Sequence, residues 1–211
     1  MSGRKRRIES IPTVWNGVFC RSRLEAKWAC FMDLLAWDWE YEPITLGSCI
    51  PDFVVTSFLR PTLIECKPAF EFAELAMRRG ELHRAATEWI LEDLEVQLHT
   101  HSSPNRPEEE VTLDFERVQR GEDAIVGRRA IVVGTMLHRD RARDAATIDG
   151  QHYLIHCDAD VGTIGLGRLG EPCLTCGRTV TEDDLMRHDR ARMFWTQAGN
   201  DTQWSGTKVE R

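Results

Sequence analysis

The sequence predicts an α/β (α+β) fold: a mixed central sheet flanked by helices, followed by a small cysteine-bearing C-terminal module. Three observations carry that expectation. Residues 22 to 36 repeat apolar side chains at three- and four-residue spacing. Residues 50 to 66 hold two apolar runs either side of Arg60-Pro61. Cys173 and Cys176 stand close together near the C-terminus, after a glycine-rich stretch. The order helix, strands, helix, strands, with no internal repeat, fits layers packed on one sheet.

The bulk composition agrees. A chain of 211 residues with 42% hydrophobic content can build one sizeable core and a small appendage. No apolar run approaches the ~20 residues of a membrane helix, and the opening MSGRKRRIES lacks the apolar stretch of a secretory signal. A soluble, intracellular, cytoplasmic protein without a membrane contact is therefore expected. Seven scattered cysteines, an odd number, suit reduced thiols with one metal cluster better than a disulfide framework. A net charge of -7 confines any nucleic-acid contact to local features. Arg4, Lys5, Arg6 and Arg7 make one such feature in a basic N-terminal arm over residues 1–18, although a solvated terminus explains the same residues.

The elements follow in order. Leu24, Trp28, Phe31, Leu34 and Leu35 fall on one face of a helix over residues 22 to 36. "WEYEPITL" is a short extended segment ending at Gly47. Residues 50 to 57 and 62 to 66 form a hairpin turned at Arg60-Pro61. After Pro68 a long helical pattern runs to Leu98, with Gly80 as a point where it divides in two. "HTHSSPNRPEEE" is a polar loop, "RRAIVVGTML" a buried strand and "QHYLIHC" a shorter one. "DVGTIGLGRLGEP" reads as a glycine-rich loop, and Thr181 with Glu182, Asp183 and Asp184 as the cap and acidic first turn of a last helix.

The hairpin carries three charges that an apolar hairpin does not need. Glu65 and Lys67 share a strand face, opposite to that of Ile64 and Cys66. A turn centred near Leu59 and Arg60 brings Asp52 opposite residues 65 to 67, so the three charges meet at one end of the sheet. Two adjacent carboxylates repel unless a cation lies between them, and oxygen ligands suit Mg²⁺ or Mn²⁺. A lysine beside such an ion offsets charge developing on a phosphate under attack. Each residue alone also has a simpler role. Pro51-Asp52 opens a strand after a turn, and Glu65 with Lys67 makes an ion pair on a solvated face. The combination, with twelve residues between the acids and a helix directly after the lysine, favours a site.

"PDFVV" followed by "LIECK" resembles the signature of the PD-(D/E)xK nuclease superfamily, over residues 19 to 135. The resemblance implies a restriction-endonuclease-like core of a helix, a mostly antiparallel sheet entered by a hairpin, and a crossing helix before the last strand. It implies Asp52 and Glu65 as metal ligands and Lys67 as the catalytic lysine. It reaches upstream to "RSRLEAKWACFMDLL", because several branches carry a Glu on the first helix, the place Glu25 takes. Ser22-x-x-Glu25 is equally a capping box, so both roles stand for Glu25. Glu42 is a weaker candidate of the same kind. The Gln and Tyr that some branches carry one helical turn apart after the lysine are absent between residues 71 and 98, which sets the chain apart from the helicase-coupled exonucleases.

Cys173-x-x-Cys176-Gly177 has the shape of a zinc knuckle, two thiolates on a tight turn relieved by glycine. Cys157 supplies a third ligand to a structural Zn²⁺, and Asp160, His152, His156 and His188 are candidates for the fourth. Free thiols are the simpler alternative, and a redox pair is a poorer fit, because Cys-x-x-Cys should open a helix after a core strand. Trp195 and Trp204 suit packing of the last helix better than base stacking.

The expectation is then a nuclease-like core over residues 19–150 and a Cys-rich module over residues 151–211. It is a Mg²⁺-dependent DNA endonuclease or nickase of the kind found in phages, mobile elements, repair or defence. Its partner is DNA, and both a homodimer and an accessory targeting protein stay open. The alternative is a non-catalytic nucleic-acid-binding protein that uses the zinc module and the basic arm.

Overall fold

The computed structural model of the protein describes residues 10–69, 72–100, 108–120, 126, 129–157 and 163–204. The basic cluster Arg4 to Arg7 and Asp160 lie outside the described residues. Among those residues the chain is mixed α/β, with four α-helices and three sheets.

The chain opens on a hairpin of β1 (Thr13–Trp15) and β2 (Val18–Cys20). Asn16 (φ 47) and Gly17 (φ 83) make its turn, the backbone twist that two-residue hairpins require. The Asn-Gly pair announces this hairpin, which the expected element list lacks. Ser22 then caps α1 (Arg23–Leu34) by accepting the Glu25 N–H. The expected apolar face forms: Trp28, Phe31 and Leu35 are buried, and Leu24 and Leu34 pack at the edge of the same cluster. At the end of α1, Asp33 accepts from the Trp15 indole (2.6 Å), Asn16 (2.8 Å) and the Trp39 indole (2.7 Å), tying the hairpin and the next strand to the helix.

The main sheet has the order β3 (Trp39–Tyr41), β4 (Phe53–Val55), β5 (Thr62–Cys66), β6 (Ala130–Val133). The first two pairings are antiparallel and β5–β6 is parallel. Both faces are covered. Phe53, Val55, Ile64, Cys66, Ile131 and Val133 face one cluster, with α1. Val54, Leu63, Ala130 and Val132 face another, with α2 (Phe72–Thr100) and α3 (Glu108–Gln119). Burial on two faces explains why these strands read as unbroken apolar runs.

Three expectations are corrected. Gly80 does not divide the long helix, because α2 runs through it and a flexible residue costs a long helix only ~1 kcal/mol. The "EEE" at the end of the polar stretch is the start of α3, whose Val111 and Val118 are buried. The glycine-rich stretch is not a loop throughout. Residues Ile164–Gly167 form β10 of a second antiparallel sheet, ordered β10, β9 (Tyr153–His156), β8 (Ala145–Thr147), β7 (His138–Asp140). This sheet crosses residue 150. Its β7 and β8 were also unexpected, since "HRD" and "AAT" are too short to show a period.

The end of the chain differs as well. Thr181 caps a single 3-10 turn, Glu182–Asp184, where Asp184 accepts from the Thr181 N–H and hydroxyl, both at 2.8 Å. The last helix, α4 (His188–Trp204), begins after it and packs on α1, with the Trp195 ring 4.7 Å from Trp28 and 5.2 Å from Phe31. Trp195 is therefore a core residue. Buried Asp149 accepts from backbone N–H groups of Gln151 and His152, pairs with the His152 ring at 2.9 Å, and meets Arg79 of α2 at 3.2 Å. This group binds α2 to the second sheet.

Candidate acidic centre and cysteine cluster

The β4–β5 register sets Phe53 against Ile64, which carries Asp52 opposite Glu65. The Asp52 N–H donates to Glu65 Oε2 at 3.3 Å, and Lys67 Nζ donates to Glu65 Oε1. Asp52, Glu65 and Lys67 thus gather at one end of the hairpin, with both acids buried at 2% and 8% exposure. The parallel strand β6 extends this end, as the Lys67 N–H donates to the Val133 carbonyl at 2.9 Å.

Asp52 accepts from the Cys66 N–H at 2.7 Å through one oxygen and from Arg21 Nη2 at 2.8 Å through the other. The same Arg21 nitrogen meets Glu42 Oε1 at 2.6 Å. Burial first, and then the charge of Glu65, push the Asp52 carboxyl up to about 7. For Lys67, burial favours the neutral amine, but the hydrogen bond and charge of Glu65 outweigh it and hold the pKa above its ordinary value. Cys20, buried beside these acids, is pushed up to about 12, by burial first and then by Glu25, Asp52 and Glu42.

Glu25 joins the centre from α1. Its carboxylate accepts from the Ser22 hydroxyl at 2.7 Å and the Tyr41 hydroxyl at 2.5 Å, and Tyr41 accepts from the Arg21 N–H at 3.0 Å. Glu25 stands at the helix cap, the simpler of its two expected places, and its charge also helps raise the Asp52 carboxyl. Glu25, Asp52 and Glu65 do not bring three ligand oxygens within 4.8 Å of one another.

The centre opens to a cleft of about 1120 Å³ between residues 44–50 and the α2 face bearing Leu82, Ala85 and Trp89. Arg21, Glu65 and Lys67 line it, whereas the buried Asp52 does not and meets it through its contacts with Arg21 and Glu65. Arg21 and Tyr41 are the members that the sequence left unmarked. No local pattern points to either, because their partners come from other elements.

The second constellation is sulfur. Ligand atoms of Cys157, Cys173 and Cys176 all lie within 4.8 Å of one another, a cluster able to hold a metal such as zinc. Cys157 ends the β9 segment, and the other two lie on the turn after β10. Gly177 (φ 76) closes that turn, its N–H donating to the Cys173 carbonyl at 2.9 Å. The Thr175 N–H points at Cys173 Sγ (3.3 Å), which in turn is 3.7 Å from Cys157 Sγ. Burial and the neighbouring Cys173 push the Cys157 thiol up. Burial acts the same way on Cys176, but the Arg178 N–H and the other two sulfurs outweigh it and hold its pKa down. Three crowded thiols, one of them favouring thiolate, suit a soft cation.

Among the described residues no histidine or carboxylate joins the three sulfurs. The His152 ring is taken by Asp149 and Arg168, the latter at 3.2 Å. His188 begins α4 and lines a groove with Arg139 and Arg192. No described helix is long and apolar enough to cross a membrane. No family model, curated protein or solved structure matches this chain.

Proposed function

We propose that the chain is a metal-dependent DNA endonuclease or nickase of the PD-(D/E)xK kind, with a structural Zn²⁺ on Cys157, Cys173 and Cys176. The observation that carries the proposal is the meeting of Asp52 and Glu65 across β4 and β5, with Lys67 on the same end and facing a cleft. DNA as substrate rests on the resemblance of "PDFVV" and "LIECK" to that superfamily.

The donor set fits Mg²⁺ or Mn²⁺. Two buried carboxylates stand opposite one another, and burial first, then the charge of Glu65, raise the Asp52 carboxyl to about 7, a repulsion that a bound divalent ion would relieve. Asp52 and Glu65 would hold the ion, which supplies a Lewis acid for a phosphate oxygen and lowers the pKa of water. Lys67 stays protonated, so it serves as a fixed cation rather than as a base and steadies charge growing on the phosphate. The Glu25 and Tyr41 pair braces the first helix against β3 and sets the position of Arg21.

Plasmid cleavage tests the proposal. The wild-type chain should cut with Mg²⁺ and stop in EDTA, and Asp52→Ala or Lys67→Ala should lower the rate by at least ~100-fold, the scale of removing a preorganised charge. Cleavage retained in both variants sinks it. The second reading is a non-catalytic nucleic-acid-binding protein. It is favoured by the pairing of both carboxylates within the chain, Asp52 with Arg21 and Glu65 with Lys67. That reading expects a shift of DNA mobility without cutting.

A further inference from the structure

Arg21 has a peculiar place in the acidic centre. One guanidinium nitrogen lies 2.8 Å from Asp52 and 2.6 Å from Glu42, between an acid just before β4 and one just after β3. The Asp52 side chain is only 3% exposed, while that of Arg21 is 54% exposed and forms part of the cleft wall. A cation bound at the same Asp52 oxygen would therefore compete with this side chain. The backbone of Arg21 is anchored separately, through its N–H to the Tyr41 hydroxyl, just before the Ser22 cap. The long side chain can therefore move without moving the helix start.

We propose that Arg21 is the resident counter-cation of the acidic centre, and that a divalent ion binding Asp52 and Glu65 exchanges it from Asp52 into the cleft, where it binds a substrate phosphate. The inference rests on the metal-dependent reading above. Competition follows from charge: a guanidinium and a divalent ion cannot both sit against the same carboxylate oxygen without repelling. The destination follows from geometry and chemistry. Arg21 itself lines the cleft, Glu42 retains a hold on the same side chain, and a planar guanidinium matches phosphate through paired N–H groups. The centre would thus present its phosphate clamp when the ion is loaded, and keep Asp52 paired when it is not.

The experiment is Mn²⁺ titration of the full chain by calorimetry, without DNA, for the wild type, Arg21→Gln, Arg21→Lys and Asp52→Asn, each checked for folding by circular dichroism. The inference expects Arg21→Gln to bind Mn²⁺ about tenfold or more tightly than the wild type, with Arg21→Lys between them. It also expects Arg21→Gln to weaken binding of a DNA duplex in the presence of Mn²⁺ at low temperature. Equal or weaker Mn²⁺ binding by Arg21→Gln overturns it. If that equality comes with loss of binding in Asp52→Asn, the metal site survives and only the role of Arg21 fails. If neither the wild type nor Arg21→Gln binds Mn²⁺, both readings fall. A purely structural Arg21 would leave the affinity for Mn²⁺ unchanged or lower it, so tightening is the distinguishing sign.

Discussion

Glu25 shows how one side chain can answer two demands. As the third helical residue it donates its N–H to Ser22, while its carboxylate turns to the Ser22 hydroxyl and to Tyr41. The Tyr41 hydroxyl is in turn a relay, donating to Glu25 and accepting from Arg21. Burial first, and then the hydrogen bond to Glu25, hold the Tyr41 phenol well above its ordinary range, so it stays neutral and works as a donor. Replacing Tyr41 by Phe removes the donor and leaves a mostly buried carboxylate short of a partner. The expected loss is ~1–3 kcal/mol of stability, read from urea unfolding, and an unchanged midpoint would show that Glu25 is satisfied elsewhere. Lys67 and Glu65 were legible as a same-face pair because strand parity needs no knowledge of the fold. Arg21 was not, since nothing near it in sequence names Asp52, which lies far along the chain.

At the scale of elements, β10 is the most instructive. "IGLG" has the small residues of a loop, yet it pairs along its whole length with β9 and is buried. The reason lies in what stands over it. A Cβ on Gly165 would come within 2.6 Å of Cys157 Sγ and 2.9 Å of Cys173 Sγ, and one on Gly167 within 2.7 Å of Val180. The strand is glycine-rich so that the sulfur cluster and its turn can close against it. Gly165→Ala is therefore expected to destabilise the chain by ~1–3 kcal/mol, the usual cost of overpacking. If the three thiols hold the proposed Zn²⁺, it should also reduce zinc content measured after purification, and an unchanged melting temperature would contradict this account. The same distinction explains the end of the chain. The acidic run after Thr181 has all the marks of a helix start, but the segment is held to the second sheet through Leu185 and Arg187, which pair with Ile155 and Ala145. Sheet pairing stops the turn after three residues, and the helix starts beyond it.

Across the whole molecule, α1 and α4 cover one face of the main sheet together with the second sheet, and α2 with α3 cover the other. The Asp149, His152 and Arg79 group is the polar joint between these halves. Burial alone would raise the Asp149 carboxyl, but the His152 ring and the backbone N–H groups of Gln151 and His152 hold it far below the ordinary carboxylate range. A carboxylate depressed in the folded state contributes stability that is present above its unfolded pKa of about 3.9 and is lost as pH falls toward its folded value. The wild type should therefore lose more stability than Asp149→Asn as pH drops from about 5 to 2, read from urea midpoints across that range. Parallel pH curves for the two proteins would remove Asp149 from the acid response. Sequence by itself determined the first helix and its cap, the charged hairpin, the long helix, the β6 and β9 strands and the identity of the three thiols, whereas it left Asp52 opposite any of residues 65 to 67. Those features rest on local periodicity, turn chemistry and strand parity. Only the tertiary structure decided that Arg21 pairs with Asp52 and that a glycine run is a strand. Each of these joins segments distant in the chain, and such contacts arise from packing, which no short stretch of sequence records.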